Sequence, residues 1–158
     1  MDVDTIIAQL PYSKPFLFVE QLLEVDKDGV RGSFTFSRQM DFYQGHFKGH
    51  PVTPGVILTE CCAQIGVVCL GIYLLSNGEN PKQEDRNDQQ LKNIKIGLSS
   101  SQMEFLLPVF PDEKVTVTSQ KLYFRFNKLK CAVKMHNAAG KLVCKGEIAG
   151  MIQTGVHH

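Results

Sequence analysis

The chain has 158 residues, of which 43% are hydrophobic and 21% are charged, and its formal net charge is +1. A chain of this length fits one domain whose core needs no disulfide or metal to hold it together. The interspersed lysines and acids argue against a dedicated nucleic-acid surface, which would carry a concentrated basic stripe.

The two ends of the chain and its cysteines set the expected organisation and location. No basic-then-apolar segment of the secretory type follows Met1. The five cysteines form no C-x-x-C pair, and free cysteines in apolar segments behave as small hydrophobes. We therefore expect a cytoplasmic protein with one domain over residues 1–156, and we treat His157 and His158 as a tag remnant.

The first third of the chain predicts a short helix followed by a β-hairpin. Residues 4–10 suit a helix that is capped by Asp4 or Thr5 and ends before Pro11. The apolar stretch 15–25 and the alternating stretch 30–36 flank a run of turn-forming residues. Two such stretches around a turn are typical of a hairpin.

A loop rich in glycine and proline comes next, and it runs straight into a long apolar segment. The loop reads Gly45-His46-Phe47-Lys48-Gly49-His50-Pro51-Val52-Thr53-Pro54-Gly55. Glycine frees the backbone and proline removes donors, so regular structure is disfavoured here. Residues 56–75 are apolar almost all round, which is typical of a helix buried inside a protein.

Only Glu60 and Gln64 seriously interrupt the apolar character of that helix. They are four residues apart and therefore share one helix face. A carboxylate in such surroundings needs a partner or a proton. Glu60 is thus the first functional candidate, and an ordinary ion pair in the core is the alternative interpretation.

The same apolar segment is about long enough to cross a bilayer. However, Glu60 and Gln64 would be costly in lipid, and neither flank carries a run of basic residues that would set an orientation. We therefore expect a core helix and no membrane insertion.

The second half of the chain predicts a polar loop and then antiparallel strands. Residues 76–93 have the composition of a mobile surface loop. Strands are predicted at 94–98, 103–107, 114–126, 129–136 and 142–152. A strand pair, one buried helix and further antiparallel strands indicate an α+β fold with the sheet wrapped on the helix. Such a sheet leaves an open edge, which favours a homodimer in which two sheets pair.

A string of residues around the loop follows a specific spacing. It consists of Tyr43-Gln44-Gly45-His46-Phe47, Gly49, Pro51-Val52, Pro54-Gly55-Val56-Ile57-Leu58, Glu60 and Ala63-Gln64. This string resembles the motif of the hot-dog-fold 3-hydroxyacyl-[acyl-carrier-protein] dehydratases of bacterial fatty-acid synthesis, and weaker similarity extends along most of the chain. The resemblance implies a hot-dog fold, in which an antiparallel β-sheet wraps around a long central α-helix.

The resemblance also implies roles for individual residues. His46 would be the base and Glu60 its acid partner, on a site shared between two protomers. Gly55 would present its backbone N–H to the thioester oxygen, the carbonyl of Val52 would hold the histidine ring, and Gln64 would support Glu60. The substrate would be an acyl chain on an acyl carrier protein, with no cofactor and with dimers able to form a higher assembly.

Dehydration needs three tasks that these residue types can perform. A proton leaves C2, negative charge gathers on the thioester oxygen, and the departing hydroxyl gains a proton. Neutral imidazole, whose ordinary pKa is about 6.5, suits the first task, and N–H groups at a helix start suit the second. A buried carboxyl suits the third because burial raises its pKa. An alternative division leaves both proton transfers to His46 while Glu60 orients the hydroxyl or water.

Two further sets of residues are weaker catalytic candidates. His50 lies four residues after His46, but Gly49 disfavours the helix that a metal pair would need, so no metal site is predicted. Cys61 and Cys62 follow Glu60 directly, yet buried helix thiols are usually inert.

A basic and aromatic stretch at 123–130 is a candidate docking site for an acidic carrier protein. It contains Arg125 and Lys128, and the alternative interpretation is a solvated strand face.

Three departures from the family pattern bear on the substrate. Tyr12-Ser13 replaces a histidine and a basic residue, Lys48 replaces a proline, and residues 38–41 replace a segment that commonly carries Asn-Glu. A specialised dehydratase of a polyene or aryl-polyene lipid pathway is therefore an alternative to one of fatty-acid synthesis.

Two rival functions belong to other classes of protein. A hot-dog acyl thioesterase would use the helix carboxylate but would not require His46. A non-catalytic acyl-binding partner subunit would be free to lose His46 or Glu60. Because both residues are present, dehydration is the favoured hypothesis.

Overall fold

The computed structural model describes residues 1–78 and 94–153, so most of the predicted polar loop and the last two histidines lie outside the described residues. Two helices and six strands make up this part of the chain. In chain order they are α1 (Val3–Ala8), β1 (Gln21–Val25), β2 (Gly29–Thr35), α2 (Gly55–Ser76), β3 (Lys95–Phe105), β4 (Lys114–Arg125), β5 (Lys128–Asn137) and β6 (Leu142–Gln153). A short 3₁₀ turn, Asp41–Gln44, precedes the loop that leads into α2.

The strands form one sheet in the order β1-β2-β4-β5-β6-β3, and every neighbouring pair is antiparallel. The predicted hairpin is confirmed, since the side chain of Asp26 accepts hydrogen bonds from the backbone N–H groups of Asp28 and Gly29 and shapes the turn. The middle of α2 contacts β2, β4, β5 and β6. An antiparallel sheet wrapped around one helix is the hot-dog fold that the resemblance implied.

Helix α2 confirms the predicted core helix. Its mean hydropathy of 1.9 would suit a membrane span, but 72% of its apolar window is buried within the protein. Its buried side chains belong to one hydrophobic core with apolar residues of the sheet, including Val117, Val133 and Ile148. The hydrophobic run is therefore explained by burial against the sheet.

The middle of α2 is not regular α-helix. Residues Gln64–Cys69 form a π-helical stretch, which sequence patterns did not predict. Here Gly66 approaches the sheet so closely that an added Cβ would lie 2.9 Å from a methyl group of Val133. The buried hydroxyl of Ser119 on β4 donates a 2.8 Å hydrogen bond to the carbonyl oxygen of Gly66. The irregular turn thus has a specific partner on the sheet.

The N-terminal helix begins earlier than predicted, and its predicted cap is wrong. Asp2 is the N-cap, and its carboxylate accepts hydrogen bonds from the backbone N–H of Thr5 at 2.8 Å and from the Thr5 hydroxyl at 2.7 Å. The side chain of an N-cap residue accepts a hydrogen bond from a backbone N–H about three residues further along the chain. Asp2 lies three residues before Thr5 and therefore has this spacing. Thr5 is therefore not the capping residue but the donor of both hydrogen bonds to it.

The two strands predicted at 94–98 and 103–107 are one continuous strand, β3, at an edge of the sheet. Its pairing with β6 shifts register between Leu98 and Ser100, so Ser99 is an extra residue in the ladder. Such a bulge accommodates the polar stretch that the sequence pattern had separated into two strands.

Candidate active site

His46 is held by a backbone carbonyl in the loop before α2. Its Nδ1 atom lies 2.8 Å from the carbonyl oxygen of Val52, and the ring is half-buried. A carbonyl oxygen can only accept a hydrogen bond, so Nδ1 carries the proton in this contact. In the neutral ring the other nitrogen, Nε2, then keeps a free lone pair, which is the state a general base requires.

Backbone hydrogen bonds fix the loop around His46. The His46 N–H donates to Phe42 at 3.0 Å, and its carbonyl accepts from the Val52 N–H at 2.8 Å. The ring stacks on Phe47 with a centroid distance of 4.2 Å, across a cis peptide bond. Gly49 adopts a φ of 72°, a conformation that favours glycine. These contacts hold the glycine-rich loop in one turn and the imidazole ring in one orientation.

The start of α2 forms one wall of a cleft of about 520 Å³. The N-cap, Pro54, makes no side-chain hydrogen bond to the first turn. Uncapped N–H groups and the positive end of the helix dipole therefore face outward near Gly55. The cleft is lined by Gly55, Val56, Thr59, Glu60, Leu98, Ser101, Met103 and Phe105.

Glu60 lies one turn further along α2 and is held by Gln64. The side-chain amide of Gln64 donates to Glu60 Oε2 at 2.9 Å and to the carbonyl oxygen of Phe16 at 3.0 Å, while its own oxygen accepts from the Phe18 N–H at 2.8 Å. The contact between Gln64 and Glu60 that the resemblance implied is present. The clamp on the N-terminal segment was missed, because no local pattern links residues 16 and 18 to a helix some fifty residues away.

Burial raises the pKa of the Glu60 carboxyl above its ordinary value, and the hydrogen bond from Gln64 works in the opposite direction. The contact with Gln64 occupies Oε2 and leaves Oε1 for another partner. Glu60 is therefore suited to hold a proton and release it within the cleft.

Within one chain His46 and Glu60 contact different partners, Val52 and Gln64 respectively. Among the described residues, no hydrogen bond joins them. Glu60 lines the cleft at the helix start and a second, narrower cavity, and neither lining includes His46. The two side chains therefore share neither a hydrogen bond nor either of these two cavities.

The weaker candidates occupy positions without a reactive environment. His50 is exposed in the loop, and no group of three metal-ligating side chains occurs in residues 1–78 or 94–153. Cys61 is fully buried, donates to the carbonyl oxygen of Phe18 and has a thiol pKa well above the ordinary value because of burial. Such a thiol is poorly suited to act as a nucleophile.

Arg125 and Lys128 face each other where the β4–β5 hairpin turns. The guanidinium group of Arg125 lies over the ring of Tyr123, 4.4 Å from its centroid. The other end of β4, at Lys114, is the end that adjoins the segment leading to the His46 loop. Strands rise about 3.3 Å per residue, so the predicted docking residues lie on the order of 30 Å from that end of the strand.

From the sequence, Tyr12 was identified only as a departure from the family pattern. In the structure its side chain lies near Glu60. Both side chains line the narrower cavity. Burial, and secondarily the negative charge of Glu60, raise the pKa of the Tyr12 hydroxyl to about 12. The spacing of Tyr12 along the chain carries no signal that would have placed it there.

Comparisons with known proteins show sequence similarity along most of the chain. The model of the FabA-like domain family matches residues 10–152. The 3-hydroxyacyl-[acyl-carrier-protein] dehydratase FabZ of Geotalea uraniireducens is 31% identical over 127 residues, which cover 79% of each chain. FabZ of Fusobacterium nucleatum is 37% identical over 79 residues, and that match spans 49% of this chain and 53% of the relative.

A solved structure resembles nearly the whole chain. The dehydratase heterocomplex ApeI:P from Xenorhabdus doucetiae has a TM-score of 0.71 at 13% sequence identity, with 95% of this chain and 91% of that chain covered. At this level of identity the likeness shows a shared fold.

Proposed function

The chain belongs to the FabA-like family of hot-dog-fold 3-hydroxyacyl-[acyl-carrier-protein] dehydratases, and from that premise we propose that it removes water from a (3R)-3-hydroxyacyl group carried on an acyl carrier protein. The product is the trans-2-enoyl thioester. The observation that carries the proposal is the 2.8 Å contact between His46 Nδ1 and the Val52 carbonyl, because it leaves Nε2 as a free base.

In the proposed reaction His46 takes the proton from C2 of the substrate. The electrons of that C–H bond form the C2–C3 double bond as the bond between C3 and the hydroxyl oxygen breaks. Negative charge gathers on the thioester oxygen during this step, where the N–H groups near Gly55 stabilise it. The cleft suits that contact because the helix start is uncapped by any side chain.

Glu60 supplies a proton to the departing hydroxyl, which leaves as water. The raised pKa of Glu60 keeps a larger protonated fraction than an exposed glutamate would have. His46 ends protonated and Glu60 ionised, and exchange with water restores both. In the alternative division His46 returns its own proton to the hydroxyl while Glu60 orients it.

We propose that His46 of one protomer works with Glu60 of another in a homodimer. The lack of a hydrogen bond between the two side chains within the described part of one chain supports this arrangement. Strand β3 also supports it, because this edge strand exposes 54% of Leu98 and 49% of Phe105. An open strand edge with apolar side chains is a surface that proteins usually cover.

Mixing two inactive variants tests the shared site. In a mixed dimer of His46→Ala and Glu60→Gln, one of the two sites contains both intact residues. Random exchange of protomers should restore about a quarter of wild-type activity if the dimer has twofold symmetry. A mixture that stays inactive after exchange of subunits has been verified would contradict the shared site.

The proposed partner is an acyl carrier protein in the cytoplasm, and the proposed pathway is fatty-acid synthesis. A polyene or aryl-polyene pathway remains a prediction from the sequence departures. We also propose docking of the carrier protein at Arg125 and Lys128. This hairpin is far from the end of β4 that adjoins the segment leading to the His46 loop, but its Leu129 pairs with Gly150, which lines the cavity beside Glu60.

Mass spectrometry of 3-hydroxyacyl carrier proteins of several chain lengths tests the reaction. Wild-type protein should remove one water from the acyl group, whereas His46→Ala and Glu60→Gln should leave it intact. Release of the free acid would instead identify a thioesterase. No change with any chain would favour a non-catalytic acyl-binding partner subunit.

A further inference from the structure

A narrow cavity lies on the far side of Glu60 from the open cleft. The cleft and the cavity share Glu60 and Leu98 in their linings, so the carboxyl stands at the junction between them. The cavity runs between one face of α2 and the strands β3 and β6. Its lining consists of Tyr12, Glu60, Ala63, Val67, Val68, Ile96, Leu98, Ile148, Ala149 and Gly150.

The cavity is small, at about 20 Å³, whereas the cleft measures about 520 Å³. A single water molecule needs roughly 10–15 Å³ on this measure. The space beyond Glu60 therefore accepts a group about the size of a methyl or water. It has no room for an extended alkyl chain unless a wall moves.

Tyr12 is the wall that can move most easily. Among the lining residues, all within the described part of the chain, it alone is aromatic, and it is half-buried and comes from the segment between α1 and β1. The other walls belong to α2 and to paired strands, including the buried Ala63 and Ile148. Moving α2 or the paired strands would disrupt backbone hydrogen bonds. The ring of Tyr12 could instead move by rotation of its side chain, or be removed by substitution.

The ring of Tyr12 is nevertheless supported in its place. It packs against Phe16 at a centroid distance of 6.4 Å, and the carbonyl of Phe16 is fixed by Gln64, which also holds Glu60. The phenol is neutral at physiological pH even at its ordinary pKa of about 10, and burial raises that pKa further, to about 12. An uncharged ring therefore closes the cavity next to the acid residue.

We propose that Tyr12 is a specificity-determining residue that closes the cavity behind Glu60 and limits the acyl group that extends beyond C3 of the substrate. The inference rests on the proposed function, in which C3 lies at Glu60. The terminal methyl group of a four-carbon chain, which is C4, fits the space. The preferred substrate is therefore 3-hydroxybutyryl carrier protein. Each longer chain must displace the ring and reacts more slowly.

The test measures kcat/KM for 3-hydroxybutyryl, 3-hydroxyhexanoyl and 3-hydroxyoctanoyl carrier protein. Wild-type protein should favour the shortest chain by about tenfold or more, the scale on which a pocket discriminates one or two methylenes. Tyr12→Ala should shift the octanoyl-to-butyryl ratio by at least about tenfold toward the longer chain. Tyr12→Phe keeps the ring and should keep the wild-type ratio.

Two further variants separate cavity size from general damage. Val67→Ala enlarges the same cavity from the helix side and should also shift the ratio toward longer chains. Tyr73→Ala removes a partly buried tyrosine of α2 that packs on the core without lining the cavity, and should leave the ratio unchanged. Tyr12→Leu replaces Tyr12→Ala as the test variant if the alanine protein fails to fold.

Equal turnover of all three chains by wild-type protein would overturn the proposal. So would an unchanged ratio in both Tyr12→Ala, or its leucine substitute, and Val67→Ala. A wild-type protein that dehydrates no substrate at all would instead contradict the proposed function, so the two failures are distinguishable.

Discussion

The Nδ1 atom of His46 lies 2.8 Å from the carbonyl oxygen of Val52, six residues further along the same loop. The backbone adds a second contact between the same two residues, since the Val52 N–H donates to the His46 carbonyl at 2.8 Å. The loop therefore closes on itself and sets the proton position of the ring before any substrate binds. In the proposed mechanism, this prior placement of the proton lowers the reorganisation that His46 needs to act as the base.

Replacing His46 with alanine should reduce dehydration by about 10² to 10⁴, the usual contribution of a positioned acid–base group. His50→Ala is the matched control, because this second histidine lies in the same loop and is exposed. Its turnover should stay close to wild type. Steady-state kinetics and circular dichroism check both variants. Equal losses in the two would indicate that the loop, and not the His46 base, had been damaged.

Glu60→Gln should change the pH dependence of stability. Because burial raises the pKa of Glu60 above 4.5, the folded protein retains a proton that the unfolded chain releases as pH rises. The free energy of unfolding therefore falls between the ordinary and the raised pKa. Glutamine cannot ionise, so the variant should unfold at a higher temperature than wild type near neutral pH, and the difference should vanish below pH 4.5. Thermal unfolding over a pH series measures this. A difference that does not vary with pH would contradict the raised pKa.

Gln64→Ala should destabilise the fold and also alter the acid residue. The buried Phe18 N–H would lose its acceptor, which costs about 1–3 kcal/mol, and the lost packing adds to that. Gln120→Ala on the exposed face of β4 is the control and should cost less than about 0.5 kcal/mol. Denaturant unfolding compares the two.

Removing Gln64 also removes the hydrogen bond that lowers the pKa of Glu60, so that pKa should rise further in the alanine variant. Titration of the Glu60 carboxyl by NMR provides this second readout. An unchanged titration would show that the contact with Gln64 has little influence on the acid.

Gly55→Ala should impair turnover by crowding the cleft. An added Cβ would lie 3.3 Å from the ring of Phe105, which also lines the cleft, so that this ring would have to shift by a few tenths of an ångström. We expect kcat/KM to fall by roughly 10-fold or more, since the thioester oxygen would lose close access to the helix start. In the double variant with Phe105→Ala, part of this loss should be recovered. A loss unaffected by the second substitution would indicate that the methyl group acts directly on the substrate.

Arg125→Glu combined with Lys128→Glu should weaken turnover of carrier-linked substrates while sparing small thioesters, because the carrier protein is expected to be acidic. Lys134→Glu with Lys145→Glu is the control, since these exposed residues also face each other across neighbouring strands. The ratio of kcat/KM for the two substrate types is the measurement. Equal losses for both types would contradict docking at the hairpin.

Local patterns were sufficient for much of the fold. The alternation along β4 and β5 and the apolar run of α2 each reflect one element packed on one core, so their positions follow from periodicity. The α1 cap depended on where the first turn begins, a choice between Asp2, Asp4 and Thr5 that composition does not settle. Two strands were predicted in place of β3 because the alternation of its side chains shifts by one residue at the bulge.

The loop motif placed His46, Val52, Gly55, Glu60 and Gln64 as a set, and the structure shows contacts within two pairs of them. What no spacing could indicate is contact between distant segments. Phe18 reaches Gln64, and Tyr12 reaches the cavity beside Glu60, only after the N-terminal segment has folded against α2. The catalytic roles themselves remain predictions.

The extra residue in β3 decides which side chains the cleft contains. Before the bulge, Ile96 and Leu98 face the cavity and cleft, and after it the odd-numbered Ser101, Met103 and Phe105 do so. Alternation would otherwise have turned the later residues away. Deleting Ser99 would consequently reverse the facing of the strand beyond it. Gln102 and Glu104 would then line the cleft in place of Ser101, Met103 and Phe105, although none of these residues had been substituted.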